Sequence, residues 1–214
     1  MMNISVGNAP SALAMNATGF VFVANSGSGN VSVINTTGVV NATYVVGSDP
    51  SALAFNATGF LVVANELSNN LTVINTTSGA PSTQVTSGVK GPDALAVNAS
   101  GYLLVANKGT GNLSVYSAVG NTLIGSVHVG SSPDSILPVS ANYTLVANAL
   151  SNNVTVVNTT MMKTVSSNVT GSNPVAMAEG PGNQVYVANM KSYNLTQLSI
   201  PPLPGVTPEI EVRP

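Results

Sequence analysis

Few side chains in this 214-residue sequence are able to do acid–base chemistry. There are seven acidic residues, five basic residues and one histidine. Three of the acids, Asp49, Asp93 and Asp134, each lie within one residue of a proline. Carboxylates gathered in this way are the ligands that Ca²⁺ prefers, and these three are the weak candidates for a metal site. Each could instead cap its own turn beside the proline, so we expect no metal and no cofactor.

The inventory of nucleophiles and bases is equally short. There is no cysteine, and His128 is the only histidine. A three-histidine metal site is therefore impossible, and a Ser-His-Asp triad has a single candidate base without a surrounding nucleophile motif. We expect His128 to face solvent or a neighbouring strand. The sequence thus predicts no catalytic residues and no enzymatic activity.

Composition restricts the class of partner. Only 6% of the residues are charged and the net charge is −2, against roughly 25% charged residues in an ordinary soluble domain. The basic residues are scattered, which argues against nucleic-acid binding. The sequence contains no run of 18 apolar residues, so it predicts no membrane-spanning helix. The first residues lack the basic and apolar regions of a signal peptide, so we expect a mature form or a domain if the protein is exported.

Three markers recur five times along the chain. They are a proline after a polar turn, the tripeptide Val-Ala-Asn 15 residues later, and Asn-[Val/Leu]-[Ser/Thr] 20 residues after the proline. The prolines are Pro10, Pro50, Pro92, Pro133 and Pro174. We expect the asparagines of Val-Ala-Asn to shape a turn as Asx-turn residues do; they are Asn25, Asn65, Asn107, Asn148 and Asn189.

Each repeat predicts four short strands. In the second copy, Ser51 to Phe55, Phe60 to Ala64 and Asn70 to Ile74 are apolar or alternating runs separated by polar turns. Four strands in each of five repeats of about 41 residues are typical of an all-β, five-bladed β-propeller with four-stranded antiparallel blades. We place the blades at about 7–46, 47–88, 89–129, 130–170 and 171–200 plus 1–6. The N-terminal strand is expected to pair in the last blade and close the ring.

The repeat resembles the YVTN β-propeller family. The positions that carry the likeness are the proline, the apolar strand that ends in Val-Ala-Asn, and the Asn-x-Ser/Thr strand that follows. The resemblance implies a propeller of the kind found in surface-layer and other exported proteins, and it implies fold better than function. Where that family commonly carries acidic residues in its turns, this chain carries asparagine.

Those asparagines create N-x-Ser/Thr sequons, which accept N-linked glycans in exported proteins. The chain has fifteen sequons, and the five that belong to the third marker could be structural. We predict glycans at the remaining loop sites: Asn16, Asn35, Asn41, Asn56, Asn75, Asn98, Asn142, Asn158 and Asn168. Replacement of acids by asparagine for stability at low pH is the alternative. Both interpretations place the protein outside the cytoplasm.

Residues 201–214 leave the repeat and are rich in proline. They predict a linker or tail, within which Glu209 to Arg213 alternates and could form a strand that pairs with another copy or a neighbouring protein. The expected function is an extracellular or cell-surface propeller with a structural, adhesive or protein-interaction role, whose partners are other surface proteins or copies of itself. A carbohydrate- or small-ligand-binding module is the alternative, and a lactonase- or glycosidase-like enzyme is the least favoured.

Overall fold

The structure, a computed structural model, describes residues 3–78, 80–119 and 121–200. In these ranges the chain forms nineteen β-strands and no helix. It follows that no helix among the described residues is long and apolar enough to cross a membrane. The predicted tail at 201–214, including its possible strand, lies outside the described residues.

The strands form five antiparallel sheets in chain order, named here blades 1 to 5, and each blade is a meander of strands A, B, C and D. Blade 1 contains β1 (Pro10–Met15), β2 (Val21–Asn25), β3 (Asn30–Ile34) and β4 (Val40–Val45); blade 2 contains β5 (Pro50–Phe55), β6 (Leu61–Asn65), β7 (Asn70–Asn75) and β8 (Ala80–Val85); blade 3 contains β9 (Pro92–Val97), β10 (Leu103–Asn107), β11 (Asn112–Tyr116) and β12 (Leu123–His128); blade 4 contains β13 (Pro133–Pro138), β14 (Tyr143–Asn148), β15 (Asn153–Asn158) and β16 (Lys163–Val169); blade 5 contains β17 (Pro174–Gly180), β18 (Gln184–Asn189) and β19 (Asn194–Ser199). The all-β prediction with five repeated sheets is confirmed.

The hydrophobic core lies between the blades. Strand B of blade 2 is buried at every residue, because each of its two faces packs on a neighbouring sheet, and its sequence is accordingly an unbroken apolar run. One face of each blade, named here the leading face, packs on the trailing face of the next blade. Between blades 1 and 2 the leading side chains Phe22, Val31 and Val33 meet the trailing side chains Leu61 and Val63. Equivalent positions pack at the other three junctions.

The blades are arranged around their first strands. Each strand A contacts strand A of the next blade, while the outer D strands scarcely touch each other. Because the strands are antiparallel, the A–B and C–D turns lie at one end of every blade, named here the A–B/C–D rim. The B–C turns and the D–A connections lie at the opposite end, the B–C/D–A rim.

The expected closure of the ring is not present among the described residues. Blade 5 has three strands, and residues 3–6 form no strand. The packing of strands A continues from blade 1 to blade 5, but β17 does not pack in this way against β1. The inner strands β1 and β17 are not in contact as neighbouring inner strands are, and no described strand pairs with the outer side of β19.

Candidate functional site

Every blade carries a β-bulge at the start of its innermost strand. The pairing of strands A and B shifts by one residue directly after the repeat proline. A bulge leaves its extra residue outside the ladder and re-aims the side chain, and bulges are over-represented beside functional sites. The extra residues are Ser11, Ser51, Asp93, Asp134 and Val175.

In blades 1 and 2 the bulge residue links neighbouring blades. The hydroxyl of Ser11 donates a hydrogen bond to the carbonyl oxygen of Pro50. The hydroxyl of Ser51 donates in the same way to Pro92 over 2.9 Å. These side chains therefore point along the inner edge of the blades, at the B–C/D–A rim.

In blades 3 and 4 the bulge residues are carboxylates, and one ammonium group joins them. Lys108 follows strand B of blade 3, and its Nζ lies 2.7 Å from an oxygen of Asp93 and 3.0 Å from an oxygen of Asp134. Burial raises the pKa of Asp93 to about 6, since Lys108 offsets only part of the loss of water and Asp134 raises it further. Burial alone would lower the pKa of Lys108, but its hydrogen bonds to both carboxylates raise it above its ordinary value.

This cluster, Asp93–Lys108–Asp134, is the one place in the described ranges where salt bridges form. A carboxyl group that titrates near neutral pH beside an ammonium group can accept or donate a proton and stabilise a developing negative charge. Sequence reasoning missed Lys108, although it directly follows Asn107, which pairs with Pro92 beside the bulge.

The metal-site hypothesis has no support in the described part of the chain. No group of three histidine, cysteine, aspartate or glutamate side chains there could hold a metal ion. Asp93 and Asp134 do come together, but the Lys108 ammonium lies between them where a cation would bind. Asp49 precedes its proline instead of following it, so it adopts a left-handed backbone with φ of 56° in the D–A connection and does not join the cluster.

The asparagines of Val-Ala-Asn are buried and do more than shape a turn. Each ends strand B, and its amide nitrogen reaches across to strand C. The Nδ2 of Asn65 donates to Asn70 Oδ1 at 2.8 Å and to Thr72 Oγ1 at 3.0 Å, while its Oδ1 accepts from the backbone of Gly47 at 3.1 Å. The side chain thus bridges two strands and the D–A connection, which is more than the local turn contact predicted from the sequence. The third-marker sequon supplies its partners, and Thr72 is fully buried.

The loop sequons on the A–B/C–D rim form a different arrangement. The Oδ1 of Asn16 accepts hydrogen bonds from the backbone of Thr18 and Phe20 and from the Thr18 hydroxyl. Asn35 repeats the arrangement in the C–D turn with Thr37. In both residues the oxygen holds the turn together, and Nδ2 has no protein partner among the described residues.

The sequons differ in accessibility. Asn41 and Asn142 are exposed, and Asn16, Asn35, Asn75 and Asn168 are half-buried. Asn56 and Asn98 are each only 5% exposed, and their Nδ2 atoms donate to Asn121 Oδ1 and to the Ala141 carbonyl. Asn158 is also buried. A glycan on these three residues would displace packed neighbours.

Two further features complete the survey. His128 is exposed at the end of a D strand, with Nδ1 3.2 Å from Asn112 Oδ1. A cleft of about 500 Å³ opens between blades 1 and 2 at the A–B/C–D rim, lined by aromatic rings that include Phe20, Tyr44 and Phe55. Sequence reasoning missed this cleft, because its aromatic residues come from different strands of two blades.

Solved structures of other proteins superimpose on this chain and show its fold. Virginiamycin B lyase from Staphylococcus aureus superimposes with a TM-score of 0.73 at 15% identity, covering 91% of this chain and 71% of the lyase. A protein from Bacteroides fragilis described as a candidate 6-phosphogluconolactonase superimposes with a TM-score of 0.72 at 17% identity, covering 89% of this chain and 66% of that one. The chain has a β-propeller fold. Neither the family models nor the curated proteins that were compared match the sequence, so membership of the YVTN family stays a prediction.

The comparisons correct one expectation. The prediction that the protein is not an enzyme is contradicted, because the fold is shared with a lyase and with the lactonase candidate. The scarcity of histidine and cysteine therefore does not exclude catalysis.

Proposed function

We propose that this chain is an extracellular or cell-surface β-propeller with a structural, adhesive or protein-interaction role, N-glycosylated along its A–B/C–D rim. The observation that carries the proposal is the geometry of the Asn-x-Thr turns. In Asn16 and Asn35 the Oδ1 atom is used by the turn, and Nδ2, the atom that bonds to the sugar, has no hydrogen-bond partner among the residues that the structure describes.

Glycan attachment at these turns is compatible with the folded chain. The new bond joins Nδ2 to the anomeric carbon of an activated sugar, whose phosphate departs as Nδ2 gives up a proton. None of the three hydrogen bonds accepted by Asn16 Oδ1 is broken by this substitution. At this rim the proposal covers the exposed Asn41 and Asn142 and the half-buried Asn16, Asn35 and Asn75. The half-buried Asn168, near the other end of β16, is a separate candidate.

The scarcity of charge supports the same function. With 6% charged residues and a net charge of −2, the surface lacks the interspersed charges that ordinarily keep a domain soluble and monodisperse. Several large apolar side chains are also exposed, among them Val39 and Val40 beside the C–D turn of blade 1. Hydrated glycans on the neighbouring Asn35 and Asn41 would screen that surface.

The experiment compares intact masses of protein from its native source before and after enzymatic removal of N-glycans, with labelling of whole cells by an amine reagent that cannot cross membranes. We expect a mass above 21.5 kDa that falls on deglycosylation, together with labelled lysines. The Thr18→Ala variant should lose one glycan, and the matched Thr18→Ser variant, which keeps the sequon, should lose none. An unmodified and unlabelled chain would overturn the proposal.

The Asp93–Lys108–Asp134 cluster favours a second candidate function, hydrolysis of a cyclic ester. Asp93 would accept a proton from water as the water attacks the carbonyl carbon, and the Lys108 ammonium would stabilise the resulting oxyanion. The ring oxygen would then leave with that proton to give an open hydroxy acid. The raised pKa of Asp93 and the fold shared with a lyase and a lactonase candidate support this candidate.

The test follows acid release from 6-phosphogluconolactone and ring opening of quinupristin, the compounds named for the matching structures. Activity that Asp93→Asn removes at least about 100-fold, and that Asn112→Asp on the outer side of blade 3 leaves unchanged, would establish the candidate. If the wild-type protein turns over neither compound faster than Asp93→Asn does, the hydrolase candidate is rejected for this substrate class.

A further inference from the structure

The cleft between blades 1 and 2 opens at a place where the next two junctions are closed, and the glycan candidate Asn16 lines it. We propose that the first sugar of a glycan on Asn16 packs into this cleft and joins blade 1 to blade 2. The inference rests on the proposed glycosylation, and it adds a structural role for one particular sugar.

Turns close the A–B/C–D rim at the next two junctions. Between blades 2 and 3, Nδ2 of Asn56 donates a hydrogen bond to Asn121 Oδ1 over 3.3 Å. Between blades 3 and 4, Nδ2 of Asn98 donates to the carbonyl oxygen of Ala141 over 2.8 Å. Because Asn56 and Asn98 begin the A–B turns of their blades, the same amide group bridges each pair of blades.

The junction between blades 1 and 2 lacks this closure. A Cβ added to Gly101 of blade 3 would lie 2.9 Å from the Cβ of Ala57 in blade 2, so the A–B turns of those blades touch. Gly59 is the equivalent glycine of blade 2, and a Cβ added there would meet no described atom within 4 Å apart from its chain neighbours. The cleft of about 500 Å³ lies beside it, within the range of about 300–1,000 Å³ that is typical of ligand pockets.

The amide nitrogen of Asn16 is directed towards blade 2. Asn16 Oδ1 accepts hydrogen bonds from the backbone of Thr18 and Phe20 and from the Thr18 hydroxyl, and Asn56 Oδ1 accepts the same three bonds in its own turn. Because the amide group is planar, holding the oxygen in the same place turns both nitrogens towards the next blade. Nδ2 of Asn56 meets a partner there, whereas Nδ2 of Asn16 has none in the described ranges and lies at the cleft.

The chemistry of the lining suits a sugar ring. The described residues of the cleft include the aromatic side chains Phe20, Tyr44 and Phe55 and the hydroxyls of Thr76 and Thr77, and none of these residues is charged. The face of an aromatic ring carries partial negative charge, so it attracts the C–H groups on the flat side of a pyranose, while threonine hydroxyls can hydrogen-bond to sugar hydroxyls. A charged ligand would have no opposite charge in this lining, and burying an unpaired charge is unfavourable.

The covalent link favours a sugar that would bind weakly if it were free. A group joined to Asn16 meets the cleft at an effective concentration of about millimolar or higher, and it does not lose its translational freedom a second time on packing. Since the cleft lies at the A–B/C–D rim, the remaining sugars of the glycan can extend into solvent. The linked sugar therefore takes the place that the Asn56–Asn121 hydrogen bond has at the next junction.

The experiment compares the melting temperatures of Thr18→Ala and Thr37→Ala, each made in the native host and also without glycosylation. Each variant removes one sequon, at Asn16 or at Asn35, and each deletes the same hydrogen bond from a threonine hydroxyl to the asparagine. Asn35 is not among the described residues that line the cleft, so Thr37→Ala is the matched control. With glycosylation, Thr18→Ala should lower the melting temperature by about 3 °C more than Thr37→Ala does. Without glycosylation, the two variants should lose the same amount.

A second measurement detects the contact itself. Nuclear Overhauser effects in the native glycoprotein should join ring protons of Phe20 or Tyr44 to protons of the sugar on Asn16, and they should persist in Thr18→Ser, which keeps the sequon. If an occupied Asn16 shows no such contacts, or if the two glycosylated alanine variants lose equally, the inference is overturned and the proposed glycosylation stands. A bare Asn16 beside an occupied Asn35 or Asn41 also overturns the inference alone. A native chain without any glycan overturns both.

Discussion

The two rims of the propeller use the same residue, asparagine, in opposite ways. On the B–C/D–A rim, Asn65 is fully buried and ties strand B, strand C and the D–A connection together. On the A–B/C–D rim, Asn35 holds only its own turn, and its amide nitrogen has no protein partner among the described residues. The comparison teaches that burial, not residue type, decides whether an asparagine is structural or available for modification.

The largest expected effect comes from removing one asparagine from each rim. Asn65→Ala removes the hydrogen bonds that Asn65 makes with the Gly47 backbone nitrogen and with the Asn70 and Thr72 side chains, so the free energy of unfolding should fall by about 3 kcal/mol. Asn35→Ala should lower it by about 1 kcal/mol, since water can replace its bonds. Chemical denaturation of both variants measures the two values, and equal losses would break the comparison.

The next effect concerns glycines on the two rims. A Cβ added to Gly47 would lie 2.7 Å from the Cβ of the buried Asn65, which cannot move. We expect Gly47→Ala to cost about 2 kcal/mol by overpacking. Gly59, in the A–B turn, has a φ of 81° and open space around it, so Gly59→Ala should cost about 1 kcal/mol through backbone conformation alone. A larger loss of stability in Gly59→Ala than in Gly47→Ala, measured by thermal unfolding, would show that the D–A connection can shift to accommodate the added Cβ.

The charged cluster gives the B–C/D–A rim a dependence on pH. The pKa of Asp93 is raised from 3.8 to about 6, so between these values the native state keeps a proton that the unfolded chain has lost. Stability from this group is fully present below the unfolded pKa and is lost as pH rises through the folded pKa. We expect the free energy of unfolding to fall by about 1 kcal/mol as the pH rises across this window. The Asp93→Asn variant should show no such fall. Denaturation curves from pH 3.5 to 7 with the same slope in both proteins would contradict the assignment.

The smallest effect is a stabilisation. Ser132 precedes Pro133 with a left-handed φ of 55°. This conformation is unfavourable for a residue that has a Cβ, whereas glycine adopts it readily. Gly91 already occupies the equivalent place in blade 3. Ser132→Gly should raise the free energy of unfolding by about 0.5 kcal/mol, measured by denaturation against Ser140→Gly in the opposite rim, which should not gain. A loss in Ser132→Gly would show that the connection is unstrained.

The repeat made the fold predictable, and the site only in part. The spacing of proline, Val-Ala-Asn and Asn-x-Ser/Thr located the strands of every blade, because each marker marks a strand end. The carboxylates Asp93 and Asp134 were found by their places beside proline. The bulge that turns them towards Lys108 depends on strand register, which the sequence pattern does not reveal. The predicted pairing of the N-terminal strand in the last blade is not observed, because residues 3–6 form no strand.

The central claim is that exposure selects which sequons of this propeller carry glycans. Asn16 and Asn56 test it most directly, because both begin the same Asn-Ala-Thr-Gly turn in adjacent blades. The amide nitrogen of Asn16 has no hydrogen-bond partner in the described part of the chain, while Asn56 is buried and donates to Asn121. Site-resolved mass spectrometry of glycopeptides from the native protein should find Asn16 modified and Asn56 bare. Equal occupancy at the two sites, or a glycan at Asn56 alone, would contradict the account.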